Sequence, residues 1–253
     1  AGVILQTQDY TEAPVVRYNS ATEVLKTLPS KQGKLSFWRG NLIHCLRYIP
    51  NQLANVYLAG RIRSVFKVSG SGDTSNLVTR FISSELASAA VLLCVYPLDV
   101  AYIRLAADGS PATLLENQGP TDLLSQLYKS GGVSAFYSGF FLTVLALSVY
   151  RGSYYWLYKL YKNTLSKRKE FAGDGAKFLM STLIAVASAL ISYPLDTIRK
   201  RLIMDEGRPK RHYTGIFDCI AKILEREGIS GFFKGGYCVL LREFIGKLIL
   251  LFV

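Results

Sequence analysis

The sequence is poor in the residues that build metal centres and disulfide frameworks. Among its 253 residues it has four cysteines and two histidines, and the cysteines form no CxxC pair. Zinc sites and disulfide-rich scaffolds need these residues at short, regular spacings, so neither feature is indicated. No motif combines an acid, a base and a nucleophile, which predicts a protein that is not an enzyme and has no cofactor. The chain also starts without the basic and apolar segments of a secretory signal.

Acidic residues are scarce as well. The chain has 18 Asp and Glu against 30 Lys and Arg, which gives a net charge of +12, and half of its residues are apolar. Many cations lie at the ends of apolar segments or within them, rather than in one arm or one surface helix. This distribution disfavours nucleic acid as a partner and favours anionic lipid or a small anionic substrate.

A smooth apolar run of about 20 residues, typical of a simple lipid-facing span, is missing too. The apolar segments carry isolated charges, which fits helices that face lipid on one side and a polar cavity on the other. The sequence therefore predicts an all-α membrane protein. Residues 1–6 look like the end of a helix that begins earlier. Five long helices are expected over residues 41–66, 78–105, 140–165, 176–204 and 236–253, and short helices over 21–28, 121–129 and 216–226.

Two motifs recur at a spacing of roughly 100 residues. Pro97 and Pro194 each open a Pro-Leu-Asp sequence, and they lie 97 residues apart. Gly40, Gly139 and Gly235 each close an aromatic-x-Gly turn, at intervals of 99 and 96 residues. Such a period indicates repeated copies of one supersecondary unit, here two long helices joined by a short helix and a turn. We expect repeats over residues 1–70, 71–170 and 171–253, the first without its opening helix.

These turns and Pro-x-Asp motifs resemble the mitochondrial carrier family over essentially the whole chain. Within the family the sequence is most similar to the ADP/ATP carriers, whose hallmark of three arginines and three methionines is partly matched at residues 199–204. The resemblance implies a threefold pseudo-symmetric bundle of six long helices in the mitochondrial inner membrane, with three short helices on the matrix side. Since five long helices are present, we expect native residues before Ala1 and after Val253. The closest phrases lie at residues 37–42, 47–52, 96–99, 105–108, 150–151 and 193–197.

A candidate substrate site follows from the repeat spacing. Arg47 and Arg242 each lie seven residues after the turn glycine of their repeat, which is about two helical turns. The equivalent position in the second repeat is Ala146, with Leu147 beside it and Tyr150 one turn further on the same face. Two guanidinium groups and a phenol around an apolar notch suit an adenine nucleotide. The resemblance implies contact points at these positions, although ADP/ATP carriers usually have Gly-Ile where this chain has Ala-Leu.

A structural interpretation of the same residues stays open. Charges inside membrane helices are functional candidates by default, yet Arg47 and Arg242 could simply satisfy partners on other helices. Tyr150 could equally serve packing. Arg151 and Glu243 are expected to pair with neighbouring helices.

The resemblance also implies two rings of ion pairs that open and close in turn. On the matrix side, each Pro-x-Asp carboxylate pairs with the basic residue three positions later in the next repeat, so Asp99 should bind Arg199. Asp196 would need a partner near Gly2, where no cation stands, and the basic position of the second repeat holds Tyr102. One matrix pair is therefore expected, and Asp196 is expected to lack a partner.

The outer ring is expected to be weaker still. Its acidic positions hold Gly60 and Lys159, while Arg63 and Lys162 occupy basic ones. Cations without carboxylates repel one another by roughly 1 kcal/mol per close pair at a screened surface. Since alternating access needs two states of comparable energy, these changes predict a degenerate carrier.

The three turn glycines, Gly40, Gly139 and Gly235, have two interpretations. Each turn presents free amide groups at a helix start near the membrane surface, where an anionic phosphate binds well. The resemblance implies cardiolipin as the lipid that binds there. Alternatively, glycine only permits a tightly packed helix start.

Two functions remain open at this point. The favoured one is a transport-impaired, structural subunit of an inner-membrane assembly that holds cardiolipin, because the gate positions are degenerate and aromatic residues are abundant over 154–161. The alternative is an active ADP/ATP exchanger, which Arg47, Arg242 and a basic funnel over residues 199–201 would support.

Overall fold

A computed structural model describes residues 2–7, 21–32, 48–50, 52, 57, 74–107, 120–164, 174–206 and 211–252. Within these residues all regular secondary structure is helical, as the sequence predicts. A 3-10 turn, Ile229–Phe233, precedes the last helix. The helices are α1 (Gly2–Thr7), α2 (Ala21–Gln32), α3 (Thr74–Ala107), α4 (Pro120–Phe136), α5 (Phe140–Thr164), α6 (Asp174–Asp205), α7 (Ile216–Glu227) and α8 (Gly236–Phe252).

The long helices begin and end close to the predicted residues. Helices α3, α5, α6 and α8 correspond to four of the five expected long segments. The short helix α2 extends further than predicted, to Gln32, and α4 reaches Phe136 only across a kink at Gly132, where φ is 63°. The predicted helix over residues 41–66 lies largely outside the described residues. Among the described residues, three segments are long and apolar enough to cross a membrane: Phe81–Ala107, Gly131–Thr164 and Gly175–Asp205.

Both motif prolines lie inside their helices, Pro97 in α3 and Pro194 in α6. Proline has no backbone N–H, so the carbonyl four residues earlier loses its helical partner. In α3 this carbonyl belongs to Leu93, and it accepts a hydrogen bond from the Tyr137 hydroxyl at 3.2 Å. The turn before α5 therefore supplies the bond that the proline removes, which allows α3 to continue to Ala107.

The tyrosine before each proline makes the same contact in the second and third repeats. The Tyr96 hydroxyl donates to the carbonyl oxygen of Ser138 at 2.7 Å. The Tyr193 hydroxyl donates to the carbonyl oxygen of Lys234, also at 2.7 Å. Because the two donors are 97 residues apart and the two acceptors 96 apart, the pseudo-symmetry of the sequence is also present in the side-chain contacts.

The glycines of the two described aromatic-x-Gly turns have left-handed backbone conformations. The φ angle is 73° at Gly139 and 77° at Gly235. Glycine adopts this region without the steric penalty of a side chain. At Gly139, an added Cβ would lie 3.4 Å from the Tyr96 hydroxyl. Glycine is thus needed here for the backbone turn, whereas a Cβ would find room beside α3.

Short helices pack against long helices in three apolar clusters. The largest joins α3, α4 and α6 and includes the fully buried Ile103 and Leu127. A second joins α5, α6 and α7 around the buried thiol of Cys219. The third joins α1 and α2 through Val24, with Cys238 of α8 packed against it. Each short helix is therefore fixed to a long helix by burial of its apolar face.

A buried ion pair also attaches α7 to α6. Arg201 has no exposed surface, and its two terminal nitrogens each lie 2.7 Å from an oxygen of Glu227. Its Nε donates to the carbonyl oxygen of Gln6 in α1 at 3.2 Å. This two-bond geometry suits a guanidinium and a carboxylate particularly well. The predicted basic funnel over residues 199–201 is therefore wrong for Arg201, whose donors bind protein groups inside the bundle.

Replacing Glu227 with glutamine is expected to destabilise the protein. The change leaves the Arg201 charge buried without its counter-charge, which should lower the free energy of unfolding by about 3–5 kcal/mol. Denaturant or thermal unfolding in detergent measures the effect. Glu225→Gln removes the same charge from an exposed position on the same helix, and it should change stability by less than about 0.5 kcal/mol. Equal effects of the two variants would contradict the assignment.

Candidate functional site

Side chains from three helices form one charge network near the two prolines. Arg199 of α6 places NH1 3.8 Å from Asp99 Oδ2 of α3, and NH2 3.5 Å from Asp196 Oδ1 of its own helix. The side chains of Arg199 and Asp99 are only 13% and 4% exposed. The predicted pair between Asp99 and Arg199 is confirmed, and it connects the second repeat to the third.

Asp196 has partners, so the expectation that it would be unpaired is wrong. Its Oδ2 lies 2.5 Å from Lys200 Nζ, and its Oδ1 is near Arg199. The physical reason is local, because residues three and four apart lie on the same face of a helix. The Pro-x-Asp carboxylate of the third repeat is therefore neutralised within α6 rather than by a cation from the first repeat.

Gln6 of α1 connects the first repeat to this network. Lys200 Nζ donates to Gln6 Oε1 at 2.7 Å, and Gln6 Nε2 contacts Thr197 Oγ1 at 3.4 Å. Gln6 is 1% exposed. Sequence reasoning missed this residue because it searched the first repeat for a charge, whereas a neutral amide fills the place. Lys200 could have been identified from the sequence, because it lies four residues after Asp196 and therefore on the same face of the helix.

Arg104 forms a second connection between α3 and α6. Its Nε and NH2 donate to the Ile203 carbonyl at 3.2 and 2.9 Å, and NH2 also contacts the Glu206 carbonyl. The residue equivalent to Arg104 in the third repeat is Arg201, which binds Glu227 of the same repeat. The second repeat has Gly131 at the position of Glu227. Without that carboxylate, Arg104 instead caps the last carbonyl groups of α6, which lack helical partners.

The described part of the predicted substrate site lies on α5 and α8. Ala146 is buried, Leu147 and Tyr150 are half-buried, and the Arg242 side chain is 74% exposed. Tyr150 lies within electrostatic range of Arg242. The predicted tyrosine of α5 is thus within range of the charge on the predicted arginine of α8. Arg47 lies outside the described residues, so its predicted role stays a prediction.

Glu243 forms an ion pair with Arg242, the residue that precedes it in the chain. Arg242 NH2 lies 3.0 Å from Glu243 Oε1, and the Glu243 side chain is 21% exposed. Within the described residues Glu243 therefore forms its ion pair on its own helix, rather than with a neighbouring one as expected.

Arg151 pairs with a neighbouring helix, as expected. Its NH1 lies 3.1 Å from Glu85 Oε1 of α3 and donates to Ser88 Oγ at 2.6 Å. Ser148 Oγ donates to the other oxygen of Glu85 at 2.8 Å. Both oxygens of this carboxylate are thus bonded to α5, which stabilises a charge pair within two membrane-length segments.

Tyrosines form a column along α5 that starts at the candidate site. The ring centroids are 6.5 Å apart for Tyr150 and Tyr154, and 6.3 Å apart for each of the next two pairs, through Tyr158 to Tyr161. The spacing of three or four residues places these rings on one face of the helix. Tyr150 is therefore the end of an aromatic face as well as a neighbour of Arg242.

Other predicted positions are only partly described. Gly139 and Gly235 form the expected turns, whereas Gly40 lies outside the described residues. At the far end of α5, Lys159 and Lys162 are both exposed. The outer-ring positions Gly60 and Arg63 also lie outside the part of the chain that the structure describes.

Charge-reversal variants distinguish an ion pair between two helices, Glu85 with Arg151, from one in which Arg199 is shared by two carboxylates. The double variant Glu85→Arg/Arg151→Glu is expected to recover most of the stability lost in either single variant, because the two side chains face each other. Asp99→Arg/Arg199→Asp should not recover it, since the new carboxylate would face Asp196 and like charges repel. Thermal unfolding of the six proteins in detergent measures this. Recovery in the second pair would contradict the shared position of Arg199.

A family model and individual relatives both relate this chain to carrier proteins. A family model described as mitochondrial carrier protein matches residues 73–169 and 173–253. The chain is 39% identical to the "ADP,ATP carrier protein" of Parachlorella kessleri, over 98% of this chain and 75% of the relative. It is 35% identical to human "ADP/ATP translocase 4", over 98% of this chain and 80% of the relative. Human "ADP/ATP translocase 3" is 37% identical over 92% of this chain and 80% of its own length.

Proposed function

Because the chain belongs to the mitochondrial carrier family, we propose that it exchanges adenine nucleotides across the membrane. Membership makes it an all-α, multi-pass protein of the mitochondrial inner membrane, similar to ADP/ATP carriers. The names of its relatives support adenine nucleotides as the substrate, since they are called ADP/ATP carriers or translocases at 35–39% identity over nearly the whole chain.

The charge network carries this proposal. An exchanger must close its matrix side while the substrate site is open to the other side, and ion pairs between repeats can hold that closure. Asp99 with Arg199, and Lys200 with Gln6, connect α3 and α1 to α6. The sequence alone favoured a structural role partly because Asp196 had no partner in another repeat. Asp196 binds Lys200 of its own helix, so the contacts between repeats that support closure are those of Arg199 with Asp99 and of Lys200 with Gln6.

Arg242 and Tyr150 support nucleotide binding at the level that the repeat spacing predicted. The Arg242 guanidinium is largely exposed and can offer paired donors to a phosphate. The aromatic face that begins at Tyr150 can stack a base. Ala146 and Leu147 add apolar surface on the same helix. In this proposal Arg47 supplies the second cation.

A structural subunit that holds cardiolipin is the second candidate. The exposed Lys159 and Lys162 favour it, because this end of α5 has cations where the family pattern has an acid and a base. The turns at Gly139 and Gly235 would present backbone amides to the lipid phosphate in either function. Partner subunits of an inner-membrane assembly belong to this second candidate only.

Exchange in liposomes tests the proposal. The purified chain, reconstituted into cardiolipin-containing vesicles loaded with ADP, is expected to take up labelled external ADP with saturation. Arg242→Ala should lower the rate at low ADP by about ten- to a hundredfold, as expected for loss of hydrogen bonds to a charged group. Arg226→Ala, an exposed arginine of α7, is the matched control.

A folded protein without exchange would contradict the transport proposal. Recovery of that protein in a larger complex, together with thermal stabilisation by cardiolipin, would then support the structural candidate. Exchange that is unaffected by Arg242→Ala would contradict the site but leave transport in place.

A further inference from the structure

We propose that Glu243 tunes the charge preference of the substrate site, because it weakens the binding of more highly charged nucleotides more than that of less charged ones. Any anion that binds Arg242 must share this guanidinium with Glu243, whose Oε1 lies 3.0 Å from Arg242 NH2. The inference rests on the proposed function, because it takes Arg242 as the group that binds the phosphates.

The two side chains differ in how accessible they are. Arg242 is 74% exposed, whereas Glu243 is only 21% exposed. Consecutive residues of an α-helix point about 100° apart, so this contact requires the long arginine side chain to turn toward the glutamate. The glutamate is thus largely buried, and the arginine is the partner that a ligand can reach.

An arginine can bind two anions at once. Its guanidinium has five N–H donors, and the contact with Glu243 uses NH2. A phosphate can therefore bind the remaining donors without displacing the glutamate. The bound phosphate then lies within a few ångströms of the Glu243 carboxylate, and the two like charges repel.

This repulsion increases with the charge of the ligand. Coulomb energy is proportional to the product of the charges, so every negative charge added to the phosphate chain meets the same carboxylate. AMP should feel the repulsion least and ATP most. A role of Glu243 in helix packing alone would affect all three nucleotides equally.

Other carboxylates of the long helices have more complete compensation. Asp196 has two cations on its own helix, at 2.5 and 3.5 Å. Glu85 accepts bonds from Arg151 and Ser148. The partner of Glu243, by contrast, is Arg242, the group that the ligand itself requires.

Glu243→Gln is the direct test, with AMP, ADP and ATP as competitors of labelled ADP uptake in the absence of Mg²⁺. The half-inhibitory concentration of ADP should fall by roughly two- to fivefold, the range that exposed ion pairs contribute. The value for ATP should fall further, so that the ATP/ADP ratio decreases by about twofold or more. Glu243→Asp keeps the charge and should retain the wild-type ratio. Glu225→Gln removes the same charge from exposed α7 and should change neither value.

Equal changes for all three nucleotides, or no change, would overturn the inference. If the wild-type chain shows no exchange, equilibrium binding of the same nucleotides to the detergent-solubilised wild-type and Glu243→Gln proteins decides the matter. A gain in affinity that increases from AMP to ATP would support the inference even though the transport proposal had failed. Absence of binding to both proteins would overturn both.

Discussion

Three consecutive cations on α6, Arg199, Lys200 and Arg201, require partners because an unpaired charge inside a bundle of apolar helices is strongly unfavourable. Consecutive residues point about 100° apart around a helix, so no single element can satisfy all three. Arg199 binds Asp99 of α3, Lys200 binds Gln6 of α1, and Arg201 binds Glu227 of α7. The arrangement of the other helices around α6 follows from this constraint.

The connections between repeats are unequal as a result. The second and third repeats share an ion pair and the bonds from Arg104 to the carbonyl end of α6. Among the described residues, the first and third repeats share bonds from Lys200 and Arg201 to Gln6, and a contact between Gln6 and Thr197. A neutral amide and its backbone carbonyl thus take the place that a charged group holds at the other contact.

Much of the fold could be predicted from periodicity and spacing. Apolar runs predicted α3, α5, α6 and α8, and the glycine interval predicted that Ala146 and Arg242 would occupy equivalent positions on α5 and α8. Side-chain partners were harder to predict. The repeat pattern assumes that each Pro-x-Asp carboxylate binds the next repeat, but Asp196 has Lys200 on the same face of its own helix, four residues away. A local pair outcompetes a distant one because it costs less conformational entropy to form.

Substitutions in one repeat also changed contacts in another, which no single motif shows. Gly131 stands where the third repeat has Glu227, so Arg104 turns to α6 instead of its own short helix. Similarly, the sequence alone does not identify Glu85 as the partner of Arg151. The two residues are 66 positions apart and meet only because α3 packs beside α5. The sequence indicates which residues are charged and on which helix they lie. Which of several charges meet is decided by packing.

The two ends of the candidate carrier differ in how their charges are paired, and this difference affects the conformation in which it rests. The charge network favours closure near the prolines, whereas exposed Lys159 and Lys162 lie at the other end of α5, roughly 30 Å away along the helix axis. Cations that repel one another do not favour closure at that end. An exchanger with these two ends would rest closed at the matrix side and open at the outer side. The same lysines would then attract an anionic nucleotide toward the tyrosine column, so a change that weakens one gate also assists entry.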